Sequence, residues 1–305
     1  MTENKEWVAI GDAELRLYRW TPEKPEAVVL IAHGMMETAA RYRRLAESLT
    51  DAGYAVFAHD LRGHGETAGD VGKVGYCGKN GFDTMVEDIR VLVDRIRGEY
   101  PGLPVFLMGH SFGSFLTQKY ISLYGDTLDG VILSGTNYKQ PPALLAAGRL
   151  IAGTAVLFKG SRAKAPLLHD MSFGANIKGV QNPRTQLDWL SRDPVEVDAY
   201  IEDPFCGCVC STGFYRDMLR GLGGMCSDKA IASIPKDLPV YIFSGTEDPI
   251  GQWGQGPPKL ADAYTRLGIR DVTLKMYPEG RHEMLNETNR DEVIGDLIEW
   301  LDGHK

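Results

Sequence analysis

Residues 107–116 read LMGHSFGSFL. An apolar run ends at Gly109, Ser111 stands alone two residues on, and Gly113 leads into a second apolar stretch. GHSFG (109–113) fits G-x-S-x-G, a strained turn in which a serine sits between a strand and a helix with its Oγ presented at the sheet edge. A Cβ on either flanking glycine would collide with neighbouring backbone there, which is why both are glycine. Only three positions of the pattern are fixed, so its meaning rests on a strand before it and a helix after it. PVFLMG (104–109) supplies the strand, and the apolar residues beyond Ser111 supply the helix.

Outward from this turn the same rhythm repeats. AVVLIAH (27–33), YAVFAHD (54–60), GVILSGT (130–136), PVYIFSG (239–245) and VTLKMYP (272–278) read as strands. Helical spacing is carried by YRRLAESLTDAG (42–53), TMVEDIRVLVDRIRGEY (84–100, with Asp83 as its cap), PPKLADAYTRLG (257–268) and RDEVIGDLIEWL (290–301). EWVAI and ELRLYRW around Gly11-Asp12 form an opening hairpin. Unbroken apolar strands alternating with helices imply an α/β fold, a mostly parallel, doubly wound sheet covered on both faces. The rhythm stops between Asn137 and Ile234, where helix formers, Pro and Gly dominate. The expected organisation is a core of residues 1–136 and 235–305 with a mainly helical cap or lid inserted at 137–234.

Composition narrows the function. The chain has 305 residues and a net charge of −8, which disfavours a nucleic-acid partner, and no Lys/Arg stripe argues otherwise. The N-terminus MTENKEWVAI lacks a signal-peptide core. The most apolar stretch, ALLAAGRLIAGTAVLF (143–158), is interrupted by Arg149 and falls short of a membrane span. Five cysteines do not look like a disulfide framework, so the expected location is the cytoplasm. CGCVC (206–210) lacks the C-x₂₋₄-C spacing of a zinc site, and packing is the expected role of Cys206, Cys208 and Cys210.

A serine hydroxyl needs a base to take its proton. In this strand–turn–helix setting the partners should follow in the order Ser, acid, His. Downstream of Ser111 the only histidines are His169, His282 and His304. His282 follows a strand and precedes the last helix, which makes it the base. The acid belongs after PVYIFSG, in TEDPIG, where both Glu247 and Asp248 could serve; Pro249 stiffens the turn behind Asp248 and favours it. Two backbone N–H groups must hold the oxyanion: Phe112, just after the serine, and Met35, in HGMME (33–37) after the strand AVVLIAH.

At this point the chain resembles an α/β-hydrolase of the monoacylglycerol lipase and lysophospholipase group, also labelled serine aminopeptidase-like. HGMMETAARY (33–42), DLRGHG (60–65), GHSFG, SGTEDPI (244–250) and GRHEMLNE (280–287) match the group's motifs in order. The resemblance implies a serine carboxylic-ester hydrolase with Ser111, Asp248 and His282 as triad, acting on monoacylglycerol, lysophospholipid or similar lipophilic esters without a cofactor or metal. It implies substrate contacts at His33, Met36 and His110, and a cap that admits long-chain or aromatic esters and touches a lipid surface transiently. One departure stands out: Met36 occupies a position that is usually glycine, where its side chain is expected to narrow the acyl channel.

Three rival readings stay open. An iminopeptidase or amidase would need a carboxylate-rich pocket, for which Glu196, Asp198, Glu202 and Asp203 are candidates. Among enzymes a cofactor-free peroxidase stands behind it; from a different class, a non-catalytic ligand receptor is disfavoured by the intact Ser–Asp–His set.

Overall fold

The computed structural model describes residues 1–305. A hairpin opens the chain: β1 (Thr2–Ile10) and β2 (Ala13–Thr21) pair antiparallel. Then β3 (Ala27–Ala32), α1 (Arg43–Asp51), β4 (Tyr54–His59), α2 (Gly81–Glu99), β5 (Val105–His110), α3 (Phe112–Tyr124) and β6 (Gly130–Ser134) follow. After an insertion come β7 (Val240–Gly245), α9 (Gly256–Arg266), β8 (Val272–Tyr277) and α10 (Arg290–Asp302). The insertion carries α4 (Pro142–Lys159), α5 (Pro166–Phe173), α6 (Pro194–Glu202), α7 (Thr212–Met225) and α8 (Asp228–Ala232).

The eight strands form one sheet in the order β1-β2-β4-β3-β5-β6-β7-β8, parallel from β4 through β8. Alternate residues of a strand serve opposite faces. Val28, Leu30 and Ala32 join the core under α2, α3, α7 and α9, while Ala27, Val29 and Ile31 join the core under α1 and α10. With both faces covered, the central strands can be apolar throughout, and every residue of β3 and β5 is buried.

Chain order reverses direction between β3 and β5, the switch point where ligands bind beyond the strand C-termini in open α/β sheets. The turns after β3, β5, β7 and β8 therefore converge on one edge. One local expectation fails here. Asp83 does not cap α2; the helix begins two residues earlier, with Asn80 in a left-handed conformation, and Asp83 lies in the first turn. The Gly81 N–H is satisfied instead by Asp217 Oδ2 at 3.0 Å, a carboxylate from α7.

Candidate active site

Ser111 sits between β5 and α3 with φ +51° and ψ −119°, a conformation L-residues rarely adopt. The neighbouring glycines permit it. A Cβ on Gly113 would overlap the Ala32 and His33 carbonyls, and one on Gly109 would strike Thr117 and the Gly113 carbonyl. The Ser111 N–H donates to Ser134 O at 2.9 Å, which ties the turn to β6. Phe112 opens α3, where N–H groups have no acceptor within the helix. The Met35 N–H, in the turn after β3, makes no hydrogen bond within the protein.

Of the two candidate acids, the structure brings Asp248 to the imidazole. His282 Nδ1–H donates to Asp248 Oδ1 at 2.9 Å. The same carboxylate accepts from Ile250 N–H at 2.8 Å and Ser244 Oγ–H at 3.1 Å. Glu247 is exposed and points elsewhere. Burial works against a charged Asp248, but His282 and the two further donors, Ile250 N–H and Ser244 O–H, outweigh it and hold its pKa below the ordinary carboxylate value. Burial likewise disfavours imidazolium, yet Asp248, with Glu283 and Glu37 behind it, lifts the His282 pKa above the usual histidine value. With Nδ1–H committed to Asp248, Nε2 is the free, proton-accepting nitrogen.

Two cavities meet at Ser111. The larger, about 280 Å³, has 13 hydrophobic residues among its 21 and runs up between α4, α5 and α7 past Leu145, Leu168 and Met218. Met35, Ser111 and Phe112 form its floor. The smaller, about 220 Å³, also includes Ser111 and Met35 and adds His110, His282, Trp189, Tyr200 and Glu283. The carboxylates considered for an amine pocket take no part in either. Glu196 pairs with Arg44 and Arg290, Asp198 with Arg184, Asp203 accepts from Phe205 N–H, and Glu202 is exposed.

Three residues expected to touch substrate fare differently. His33 is wholly buried and lines neither cavity. Its Nδ1–H donates to Gly34 O and its Nε2 accepts from Leu61 N–H, so it is a brace for the turn rather than a substrate contact. His110 does line the smaller cavity, 4.8 Å from the His282 ring. Burial and then His282 push its pKa down to about 3, so it is neutral. Met36 needs a correction: it lines the smaller cavity, not the apolar one. Its backbone is left-handed at φ +59°, its side chain joins the core, and its carbonyl accepts from Tyr200 O–H (2.8 Å) and Gly207 N–H (3.0 Å).

That last bond also explains CGCVC. Gly207 ties to Met36, Cys210 O accepts from Ala165 N–H, and Cys206 packs with Trp189 and Tyr200. The thiols remain unpaired, and burial raises all three.

Sequence reasoning assigned no role to the buried charges beside the site. Arg41 donates to Glu37 Oε2 at 2.7 Å and grips Glu283 through both nitrogens at 2.7 and 2.6 Å. Glu37 Oε1 takes the Gly34 N–H and Tyr42 O–H. Burial opposes both carboxylate charges; the bidentate Arg41 nonetheless holds Glu283 down at about 2. Glu37, which also feels the charge of Glu283, stays above its ordinary value. The turn after β3 is thus fastened to the histidine loop. All three charges lay within quoted motifs, HGMMETAARY and GRHEMLNE, but nothing in the spacing showed that they meet. Trp189, 5.2 Å from the His282 ring, had no signal at all.

Sheet order, the serine turn and the carboxylate–imidazole pair define an α/β-hydrolase. The comparisons agree. The family described as serine aminopeptidase, S33, matches residues 23–289, and the chain belongs to that family. It is 29% identical to a monoacylglycerol lipase of Mycolicibacterium smegmatis, over 98% of this chain and 96% of that one. It is 29% identical to the human monoglyceride lipase, over 88% and 79% respectively. A thermostable carboxyl esterase from Bacillus coagulans, solved with glycerol, superposes with a TM-score of 0.92 at 28% identity, covering 100% and 99% of the two chains.

Proposed function

We propose that this hydrolase cleaves carboxylic esters of lipophilic acyl groups with small polar alcohols, monoacylglycerol and lysophospholipid being the model substrates. The observation that carries the reading is the pair of cavities meeting at Ser111: an apolar one suited to an acyl chain, and a more polar one suited to an alcohol. Names borne by relatives, monoacylglycerol lipase and carboxyl esterase, point the same way.

The reaction proceeds by acyl transfer. Ser111 Oγ attacks the ester carbonyl carbon as its proton passes to His282 Nε2, and Asp248 stabilises the imidazolium that forms. The oxyanion is held by the N–H groups of Met35 and Phe112. The C–O bond to the alcohol breaks, and His282 returns the proton to the departing oxygen. Water then enters, gives a proton to His282 and attacks the acyl-serine carbonyl; the bond from the acyl carbon to Ser111 Oγ breaks, His282 returns the proton to Oγ, and the acid leaves. Residues 137–234 act as the cap that shapes both cavities. The outer face of α4 rests on a lipid surface, since its only buried residues are Leu145, Gly148 and Ala152. Five unpaired thiols accord with a reducing cytoplasm.

The test is a panel of p-nitrophenyl esters from acetate to palmitate beside monoacylglycerol, lysophosphatidylcholine and proline anilide. Turnover that climbs with acyl length and includes monoacylglycerol is expected. Turnover of the anilide above every ester would overturn the reading in favour of a peptidase.

A further inference from the structure

From Gly130 to His169 the chain carries Lys139, Arg149, Lys159, Arg162 and Lys164 and no acidic residue, although acidic residues outnumber basic ones 41 to 33 overall. The turn between α4 and α5, KGSRAK (159–164), lies between exposed apolar side chains. Leu157 and Phe158 before it are 79% and 80% exposed, and Leu167 after it is 64% exposed. Beneath the turn is a cavity of about 420 Å³ that shares no lining residue with the two at Ser111.

Four cations line this cavity, Arg62, Lys73, Arg162 and Lys164, and no carboxylate does. Arg62 is neutralised by Asp88 and Asp12. The other three have no carboxylate partner. Arg162 lies 4.3 Å over the Tyr76 ring, and the Lys164 ammonium donates to the Val74 carbonyl. Of the acidic groups on the facing loop, Glu66 is paired with Arg16 and Lys5, and Asp70 accepts from the Gly72 N–H and forms no ion pair with the cavity cations. Uncompensated cations gathered around a cavity call for an anion, and phosphate oxygens suit guanidinium and ammonium donors.

We propose that this cavity takes the phosphate of an anionic lipid headgroup, with Leu157, Phe158 and Leu167 entering the adjoining apolar layer. The proposal rests on the reading that the outer face of α4 meets lipid. A membrane, rather than a free phosphorylated metabolite, is the source because two of the cations, Arg162 and Lys164, are bracketed in the chain by the exposed apolar Leu157, Phe158 and Leu167. Apolar insertion and headgroup attraction together give the two signals that stable interfacial binding needs.

Vesicle cosedimentation tests this, with phosphatidylcholine alone and with phosphatidylcholine containing phosphatidylglycerol, at low and high salt. The anionic vesicles should bind several-fold more protein, and the excess should fade as salt screens it. Arg162→Gln and, separately, the exposed Lys73→Gln should each lower binding to anionic vesicles about fivefold, equivalent to ~1 kcal/mol per cation, with neutral vesicles unaffected. Melting temperatures check that each variant folds. Leu157→Ser should weaken binding to both vesicle types. Equal binding to both vesicle types, or equal losses on both in the cation variants, overturns the headgroup site and leaves the lipid-facing cap standing. No binding to either overturns both. Calorimetric binding of inorganic phosphate that Arg162→Gln abolishes, with vesicle binding indifferent to charge, overturns the lipid source in favour of a soluble phosphorylated ligand.

Discussion

Met36→Gly probes the site where this chain departs from the usual glycine. Two effects oppose each other. Removing a buried methionine side chain costs about 2–5 kcal/mol by analogy with large-to-alanine changes in cores. Relieving a left-handed backbone at φ +59° returns about 1–2 kcal/mol, because glycine adopts it without strain. Packing wins, with a net loss of about 2 kcal/mol. At an unfolding entropy of ~2.1 cal/mol/K per residue, the 305-residue chain should melt about 3 °C lower. Because Met36 lines the smaller cavity with His282, Trp189 and Tyr200, the catalytic effect should fall on the alcohol of the proposed ester. The assay compares p-nitrophenyl and glyceryl esters of one acyl group, then p-nitrophenyl esters of increasing chain length, with calorimetry on the same protein. The ratio between alcohols should change while the rank order of acyl lengths is kept. An altered acyl order with an unchanged alcohol ratio would refute the placement, and a higher melting temperature would refute the balance of packing over strain.

Ser111→Ala should lower ester hydrolysis by about 10⁴-fold or more with the melting temperature little changed, because the triad works as a unit. A phosphonate probe should label wild type at Ser111 alone. Asp248→Asn should cripple turnover, whereas Glu247→Gln, at an exposed position, should leave kcat within about twofold. The pH profile of kcat/KM should rise through a pKa above the ordinary ~6.5 of histidine, since the base must be neutral and Asp248 holds its proton on; an inflection below that value would count against the pairing. The same pair has a signature in stability. The raised His282 contributes fully below its unfolded pKa and loses that contribution as pH rises through its folded one. The lowered Asp248 contributes above its unfolded pKa and loses it as pH falls through its folded one. The melting-temperature gap between wild type and Asp248→Asn should therefore be widest between about pH 4 and 6.5. Finally, Arg41→Met strands two buried carboxylates, and chemical denaturation should report a loss of about 3–5 kcal/mol.

Strands and the serine turn were legible because each is dictated locally. A central strand buried on both faces must be apolar throughout, as AVVLIA is, and the turn at Ser111 tolerates only hydrogen at positions 109 and 113. The acid was legible down to two neighbours, and the structure separates them: Asp248 is buried and accepts from His282, while Glu247 is exposed. What failed depended on distant residues. No sequence window around Asp83 can show that Asp217, 136 positions beyond Gly81, already caps α2. His33 precedes the oxyanion turn and so looks like a ligand contact, until Leu61 N–H is found on its free nitrogen. Met36 was placed on the wrong side of Ser111 because the carbonyl bonds that orient it come from Tyr200 and Gly207, inside a segment with no readable register.

Those bonds change what the insertion is. A lid laid over a finished site would leave the catalytic turns to the sheet alone. Here the insertion completes them. Tyr200 and Gly207 hold the Met36 carbonyl, while the carbonyls of Trp189 and Leu190 accept the His282 and Glu283 N–H groups at 3.4 and 2.7 Å. Residues 189–207 therefore brace the turn that carries Met35 and the loop that carries His282, and moving them would displace both together. Helix α7 is equally fixed, packed on α2 and α3 and capping α2 through Asp217. The elements that bind neither turn are α4, which packs on α7 and buries only three residues, and α5, where Leu168 alone is buried. Both line the apolar cavity and neither holds a catalytic turn. On the proposed function, the groups that act on the ester bond are braced by residues 189–207, apart from the helices α4 and α5 that line the acyl cavity.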